Sequence, residues 1–322
     1  MKAATLAIYQ HLFASVAEQM GVTLGRTALS PNIKERLDYS CALFTGDGQL
    51  LAQAAHIPVH LGAMPASVKA ALDRCQPYSP GDVTIVNDPY LGGTHLPDIT
   101  LVSPVFGPQA AGDQDSTPVE LSMMEPSFFV ASRAHHADIG GMSPGSMPLS
   151  SELFQEGLII PPIKIVEAGR RNEALWKLLL SNVRTPEERG GDFHAQLAAN
   201  GIGQRRLVSM IERYGLDECL RQARNLIHYA ERMTRAAIQQ IPDGRYSFVD
   251  YLDNDGQSTN PLPIKVTVTV RGNELYFDFS GTASAVNGNL NAVPAIAISA
   301  VAYCLRCIAL ALLGIELPMN QG

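Results

Sequence analysis

A chain of 322 residues is long enough for roughly two domains built around a sizeable core. Charged residues make up only 17% of it against 46% hydrophobic, and a net charge of −7 with no basic stripe argues against a nucleic-acid surface. Five scattered cysteines, an odd number, argue against a disulfide framework and suit a reducing cytoplasm.

Residues 1–20 place Leu6, Ile8, Tyr9, Leu12, Phe13 and Val16 at helical spacing. Gln10, His11, Glu18 and Gln19 interrupt the apolar run, so this is an amphipathic helix rather than a signal peptide. Ser30-Pro31 opens a turn that leads into a predicted strand at 37–44, and Thr45-Gly46-Asp47-Gly48 is a hairpin signal before a second strand at 50–55. Asp38 lies in the first strand among apolar or small residues. A carboxylate there needs a partner, and a metal, an arginine such as Arg36 or a backbone nest would each serve. His56 and His60 frame Ile57-Pro58-Val59 ahead of a helix at 64–74, as helix-entry or as pocket residues.

The most informative stretch follows a strand at 82–86. Asn87-Asp88-Pro89-Tyr90-Leu91-Gly92-Gly93-Thr94-His95-Leu96-Pro97-Asp98 holds two prolines and a Gly-Gly pair before the next strand begins at Ile99. Gly-Gly lets the backbone pass close to a neighbour or take positive φ. Pro97 stiffens the link between His95 and Asp98, which would hold imidazole and carboxylate at a fixed separation, as two ligands of a divalent metal. The plainer alternative is a polar turn in which Asp98 caps an amide and His95 faces solvent. The strand from Ile99 runs to 106, a polar excursion covers 107–126, and a strand at 127–136 passes into a second Gly-rich loop, Ala137-Asp138-Ile139-Gly140-Gly141. If the two strands are antiparallel neighbours, His135 and His136 arrive beside the His95/Asp98 loop on opposite faces, so that one of them joins it. Otherwise the pair would be one core histidine and one exposed.

From Ser150 the pattern turns helical: 152–158, 173–180, then from Pro186 behind the Thr185 cap to Tyr214 with a break at Gly201/Gly203, and 216–241. Asp192 and His194 beside Gly190-Gly191 are minor site candidates. Pro242-Asp243-Gly244 marks a boundary. Strands follow at 246–252, 264–270 and 274–279, then an apolar run at 292–313 in which Pro294, Arg306 and the lack of flanking basic residues favour a buried helix over a membrane span. Cys304 and Cys307 have CxxC spacing, but they sit in this helix with no second such pair. A chain that stops just after a core helix leads us to expect further C-terminal material. The predicted class is α+β or mixed α/β, with antiparallel strand pairs flanked by long helices and a smaller C-terminal strand-helix unit. The first domain is expected at 1–241, including the helical segment 150–241, and an incomplete second unit at 242–322. Low charge and an apolar C-terminal helix point to tight association with other chains.

Three stretches in this order resemble the hydantoinase B/5-oxoprolinase family, which includes a subunit of the acetone carboxylases. They are Glu35-Arg36-Leu37-Asp38-Tyr39-Ser40, Asn87-Asp88-Pro89-Tyr90 with Gly93-Thr94-His95-Leu96-Pro97-Asp98, and Arg133-Ala134-His135-His136-Ala137-Asp138-Ile139-Gly140-Gly141. The resemblance implies ATP-dependent opening of a cyclic amide such as a hydantoin or 5-oxoproline. It also implies a hydantoinase A-type partner subunit that uses ATP and Mg to phosphorylate the substrate. It implies a divalent metal, zinc or manganese, on Asp38, His95, Asp98 and one histidine of the pair, His135. His136 and Asp138 then become candidates to orient ligands or transfer protons. No P-loop pattern is present, which suits ATP binding on the partner. The alternatives are an acetone-carboxylase-type subunit and a catalytically inactive assembly partner. Neither nucleic acid nor membrane is expected among the partners, and a cytoplasmic hetero-oligomer is.

Overall fold

A computed structural model describes residues 3–55, 57–107, 125–314, 316–318 and 320. His56 and most of the 107–126 excursion therefore lie outside the described residues. Helix α1 (Ala3–Thr27) and the short α2 (Pro31–Lys34) precede a hairpin of β1 (Tyr39–Thr45) and β2 (Leu50–Ala55). Helix α3 (His60–Cys75), β3 (Val83–Val86), β4 (Asp98–Val105) and β5 (Phe128–His135) follow, then β6 (Ile163–Glu167) and β7 (Arg170–Arg171). Among the described residues these strands form one seven-stranded sheet in the order β2-β1-β5-β4-β3-β6-β7, with every adjacent pair antiparallel.

Both faces of the central strands are covered, and the period of two decides which side chain goes where. Cys41, Leu43, Phe128, Val130 and Ala134 join one apolar layer with Phe13, Val16, Met20 and Leu24 of α1. Ala195, Ala199 and Leu207 of α5 (Pro186–Tyr214) complete that layer. Ala42, Phe44, Val102, Phe129 and Ala131 face the other way, onto Met64, Val68 and Ala71 of α3. The sheet is thus sandwiched between α1 and α5 on one side and α3 on the other.

Helices α4 (Glu173–Ser181) and α6 (Leu216–Ile238) complete the helical segment, and β8 (Gly244–Leu252), β9 (Leu262–Arg271) and β10 (Glu274–Asp278) form a separate three-stranded sheet before α7 (Pro294–Leu313). Four local expectations change. Helix α5 runs unbroken through Gly201 and Gly203, because at Gly203 a Cβ would lie 2.4 Å from Met20 Sδ and 3.1 Å from Val130. That glycine serves close helix packing rather than a break. Residues 152–158 form only a 3₁₀ turn, Leu153–Gln155, since Leu158 N–H is drawn to the Ile139 carbonyl at 2.9 Å. Strands β6 and β7 stand where a helical segment was expected, joined by Ala168 and Gly169, both at positive φ. Helix α7, expected to be buried, is mostly exposed: it is apolar and long enough to cross a membrane by length and composition, and only 17% of its Pro294–Leu312 window is buried. Its inner face packs on α3, where Ser299 Oγ accepts from Gly62 N–H and donates to the Val59 carbonyl. No described residue covers its outer face.

Candidate metal centre

The loop between β3 and β4 is pinned from within. Asn87 is fully buried; its Nδ2 donates to the Leu96 and Leu158 carbonyls, and its Oδ1 accepts from Ile160 N–H. Asp88 accepts from Tyr90 N–H across the 3₁₀ turn Pro89–Leu91. At Gly92, φ is 90°, and the residue lies so close to α3 that a Cβ would sit 2.4 Å from the Ala66 carbonyl oxygen. Ser67 Oγ of α3 donates to the Gly92 carbonyl at 2.5 Å. The loop is therefore docked on a helix that cannot yield there without moving backbone.

This docking delivers His95 and Asp98 to the end of β4, where the register pairs Asp98 with His135 of β5. His95 Nε2 is 2.8 Å from Asp98 Oδ1, His135 Nδ1 is 3.2 Å from the same oxygen, and the two ring nitrogens are 3.2 Å apart. Ligands of a tetrahedral ion at about 2.0–2.1 Å stand roughly 3.3 Å from one another, so these separations match a divalent cation drawn on the three atoms. The donor set, two imidazoles and a carboxylate, is of the kind that takes zinc or manganese. Asp98 and His135 are buried, while the His95 side chain is 39% exposed and marks the open side.

Electrostatics favour a cation here. Burial alone would lower the His95 imidazole, but the charge and hydrogen bond of Asp98 outweigh it and lift the ring above its ordinary value, with Asp38 acting in the same direction. Burial would raise Asp98, yet the charge on His95 and the contacts with His135, His60 and His95 hold it well below the usual carboxylate range. The two shifts describe one arrangement, positive charge favoured beside an ionised Asp98.

A family model described as hydantoinase B/oxoprolinase matches residues 2–322. The chain belongs to the hydantoinase B/oxoprolinase family. It is 39% identical to 5-oxoprolinase 1 of Arabidopsis thaliana, over 98% of this chain but 25% of that protein. It is 36% identical to a putative D-/L-hydantoinase subunit of Pseudomonas sp. (strain NS671), over 84% of this chain and 45% of that protein. Among solved structures, the ATP-dependent caprolactamase of Pseudomonas jessenii superposes with a TM-score of 0.86 at 30% identity, covering all of this chain and 52% of the caprolactamase chain. The chain thus spans about half or less of the length of these relatives.

In this hydantoinase B/oxoprolinase chain the ligand atoms of His95, Asp98 and His135 lie within 4.8 Å of one another. Asp38 stands outside that group of three. Its carbonyl accepts the His135 N–H at 3.0 Å, and its half-buried carboxylate is close enough to favour a charged His95. The residues expected to handle protons are engaged elsewhere. His136 points to the α5 face, as the alternation of β5 requires. Its Nε2 is 2.9 Å from Gln196 Oε1, its ring centroid is 4.7 Å from that of Phe193, and burial pushes it down to about 4. Asp138 accepts from Arg184 Nη1 and Arg184 N–H, each at 2.7 Å, and from Ser146 Oγ, which ties down the Gly-rich loop. Asp192 accepts from Leu29 and Ser30 N–H and pairs with buried Arg189, while His194 packs on Trp176.

Three residues near the centre went unassigned from sequence. His60 is buried at the start of α3 with Nε2 3.6 Å from Asp98 Oδ2. Arg133, two residues before His135 and hence on the same face, is fully buried; its Nε donates to Thr100 Oγ1 and its Nη2 to Ser67 Oγ. Glu156 is partly buried beside the 3₁₀ turn. Burial raises its carboxyl, and its electrostatic coupling to His95 and hydrogen bond from Ser150 only partly oppose this. The spacing of Arg133 from His135 was a readable signal. Glu156 carried none, because it reaches the site only through the folding of the Gly140–Gly141 loop against it, where a Cβ on Gly141 would lie 2.7 Å from the Glu156 backbone.

Proposed function

We propose that this chain carries the metal centre of an ATP-dependent cyclic-amide hydrolase of the hydantoinase or 5-oxoprolinase type. In this reading it works with an ATP-using, hydantoinase A-type partner that phosphorylates the lactam or imide. The observation that carries the reading is the convergence of His95, Asp98 and His135 on one partly open point. The ATP-dependent caprolactamase likeness supports the amide chemistry. The absence of a P-loop pattern in the sequence supports ATP binding on the partner.

In this reading His95, Asp98 and His135 would hold zinc or manganese, and Asp38, the fourth ligand implied by the resemblance, stands outside that group and would act on the centre through its charge on His95. When bound there, such an ion would supply Lewis acidity, polarising a substrate carbonyl and making water acidic enough to ionise near neutrality. Asp98 balances the ion's charge from a dry position, and His95 presents the open side to substrate. We assign the proton role expected of His136 and Asp138 to Glu156, whose carboxyl is raised by burial and interacts electrostatically with His95, as the group that would take a proton from water. Metal analysis of the purified protein beside His95→Ala tests the reading. About one divalent ion per chain is expected in the parent and none in the variant. A folded parent that takes up neither zinc nor manganese would end it.

A further inference from the structure

His60 is a fully buried polar group next to the centre, and the ligand set above does not use it. This inference rests on the metal reading and adds to it. His60 is the first residue of α3, with no exposed surface, and both ring nitrogens meet a group that matters. Nδ1 lies 2.8 Å from Ser40 Oγ of β1, which is itself fully buried. Nε2 has no hydrogen-bond partner among the described residues, and its nearest charged neighbour is Asp98 Oδ2 at 3.6 Å. A buried donor left unpaired loses its hydration without a replacement partner, so an orphan beside a charged carboxylate needs an explanation.

The geometry around Asp98 supplies one. Its Oδ1 is taken by the two ring nitrogens of His95 and His135. Its Oδ2 faces away from them and receives Thr94 Oγ1 at 3.1 Å. We propose that His60 is the positioning residue for Asp98. The Ser40 hydroxyl donates to Nδ1 and so leaves the ring hydrogen on Nε2, aimed at Oδ2. That second contact, 3.6 Å in this structure, holds the carboxylate plane so that Oδ1 would face the ion. Ser40, His60 and Asp98 thereby join β1, α3 and β4 behind the centre. A ligand carboxylate whose free oxygen is held in this way is oriented more tightly, and loss of such a partner commonly weakens metal affinity by about 10–100-fold.

Two amide substitutions separate the ring's two ends. The side-chain amide of glutamine reaches the position of Nε2, whereas that of asparagine reaches only Nδ1. His60→Asn keeps the Ser40 contact and is expected to weaken zinc or manganese binding by about 10–100-fold in competition with a chromophoric chelator. His60→Gln is expected to stay within a few-fold of the parent. Circular dichroism confirms that each variant is folded. Equal affinity in His60→Asn and the parent overturns the proposal. So does a change in the visible spectrum of the cobalt-loaded protein that reports a lost ligand, because His60 would then be a ligand itself. A second measurement needs no metal: a thermal double-mutant cycle of His60→Asn and Asp98→Asn in chelator-treated protein. Non-additive midpoints are expected, and an additive cycle overturns the proposal. A parent that binds no cation but shows a non-additive cycle would reject the metal reading and leave the His60–Asp98 coupling standing.

Discussion

Replacing Gly92 by alanine asks whether the docking of the loop on α3 builds the centre. Two costs arise. The residue sits at φ 90°, where an L side chain loses about 1–2 kcal/mol. The new Cβ would also stand 2.4 Å from Ala66 O and 2.7 Å from Ala66 C, both backbone atoms that no rotamer change can clear. Reaching van der Waals distance needs roughly 0.8 Å of separation between loop and helix. That stretches the 2.5 Å bond from Ser67 to the Gly92 carbonyl and loosens the Ser67 contact of Arg133. Overlap and lost hydrogen bonding add about 2–3 kcal/mol. Gly145 is a matched control: its φ is 85°, and a Cβ there meets nothing within 4 Å. Gly145→Ala is therefore expected to cost only the backbone term of about 1–2 kcal/mol, whereas Gly92→Ala costs about 3–5 kcal/mol. Denaturant unfolding of the three proteins reads the difference, and zinc titration reads whether His95 and Asp98 are displaced with the loop. Equal destabilisation by the two alanines would refute the claim that close approach at Gly92 holds the site.

His136, pushed down to about 4, enters the folded state neutral, while an unfolded chain protonates it near 6.5. Its contribution is thus complete above pH 6.5 or so and is lost as the pH falls toward 4, amounting to about 2 kcal/mol between pH 7 and pH 5. His136→Gln keeps a donor for Gln196 and should flatten unfolding midpoints across that window; parallel profiles in the two proteins would count against it. Glu156→Gln should leave metal affinity unchanged, reduce turnover of the assembled ATP-dependent complex by about 10²–10⁴-fold and remove the acidic limb that arises as pH falls through the raised carboxyl of Glu156. Unchanged turnover would remove Glu156 from the proton path.

What was legible in the sequence was mostly local and periodic. Strand β2 runs over the expected residues, β1, β4 and β5 shift by a residue or two, and the stiff loop brings His95 next to Asp98. What was not legible depended on packing between distant segments. Gly201 and Gly203 read as helix breakers, but the volume of Met20, far away in sequence, decides that Gly203 is a close-packing position. Ile163, Ile165 and the Ala168-Gly169 turn carry only a short hairpin signal amid helical neighbours, and their strand status comes from pairing with β3. The two ring contacts of His60 link β1 to β4, so no spacing within its own segment distinguishes pocket from helix entry.

The adjacent histidines show how far strand period alone carries the argument. Along β5, Ala131, Arg133 and His135 face α3, while Val130, Ala134 and, just past the strand's end, His136 face α1 and α5. Two neighbours of identical chemistry therefore meet opposite environments: one beside a charged aspartate and an open imidazole, the other against Phe193 and a glutamine amide. A register slip of one residue between β4 and β5 would exchange them and also turn Arg133 away from Thr100 and Ser67 into the apolar layer under α1. The buried guanidinium, tied to Thr100 on β4 and Ser67 on α3, therefore penalises the wrong register far more than the histidines could by themselves. Selecting which histidine reaches Asp98 is in this sense a task of Arg133, carried out two residues away from the centre.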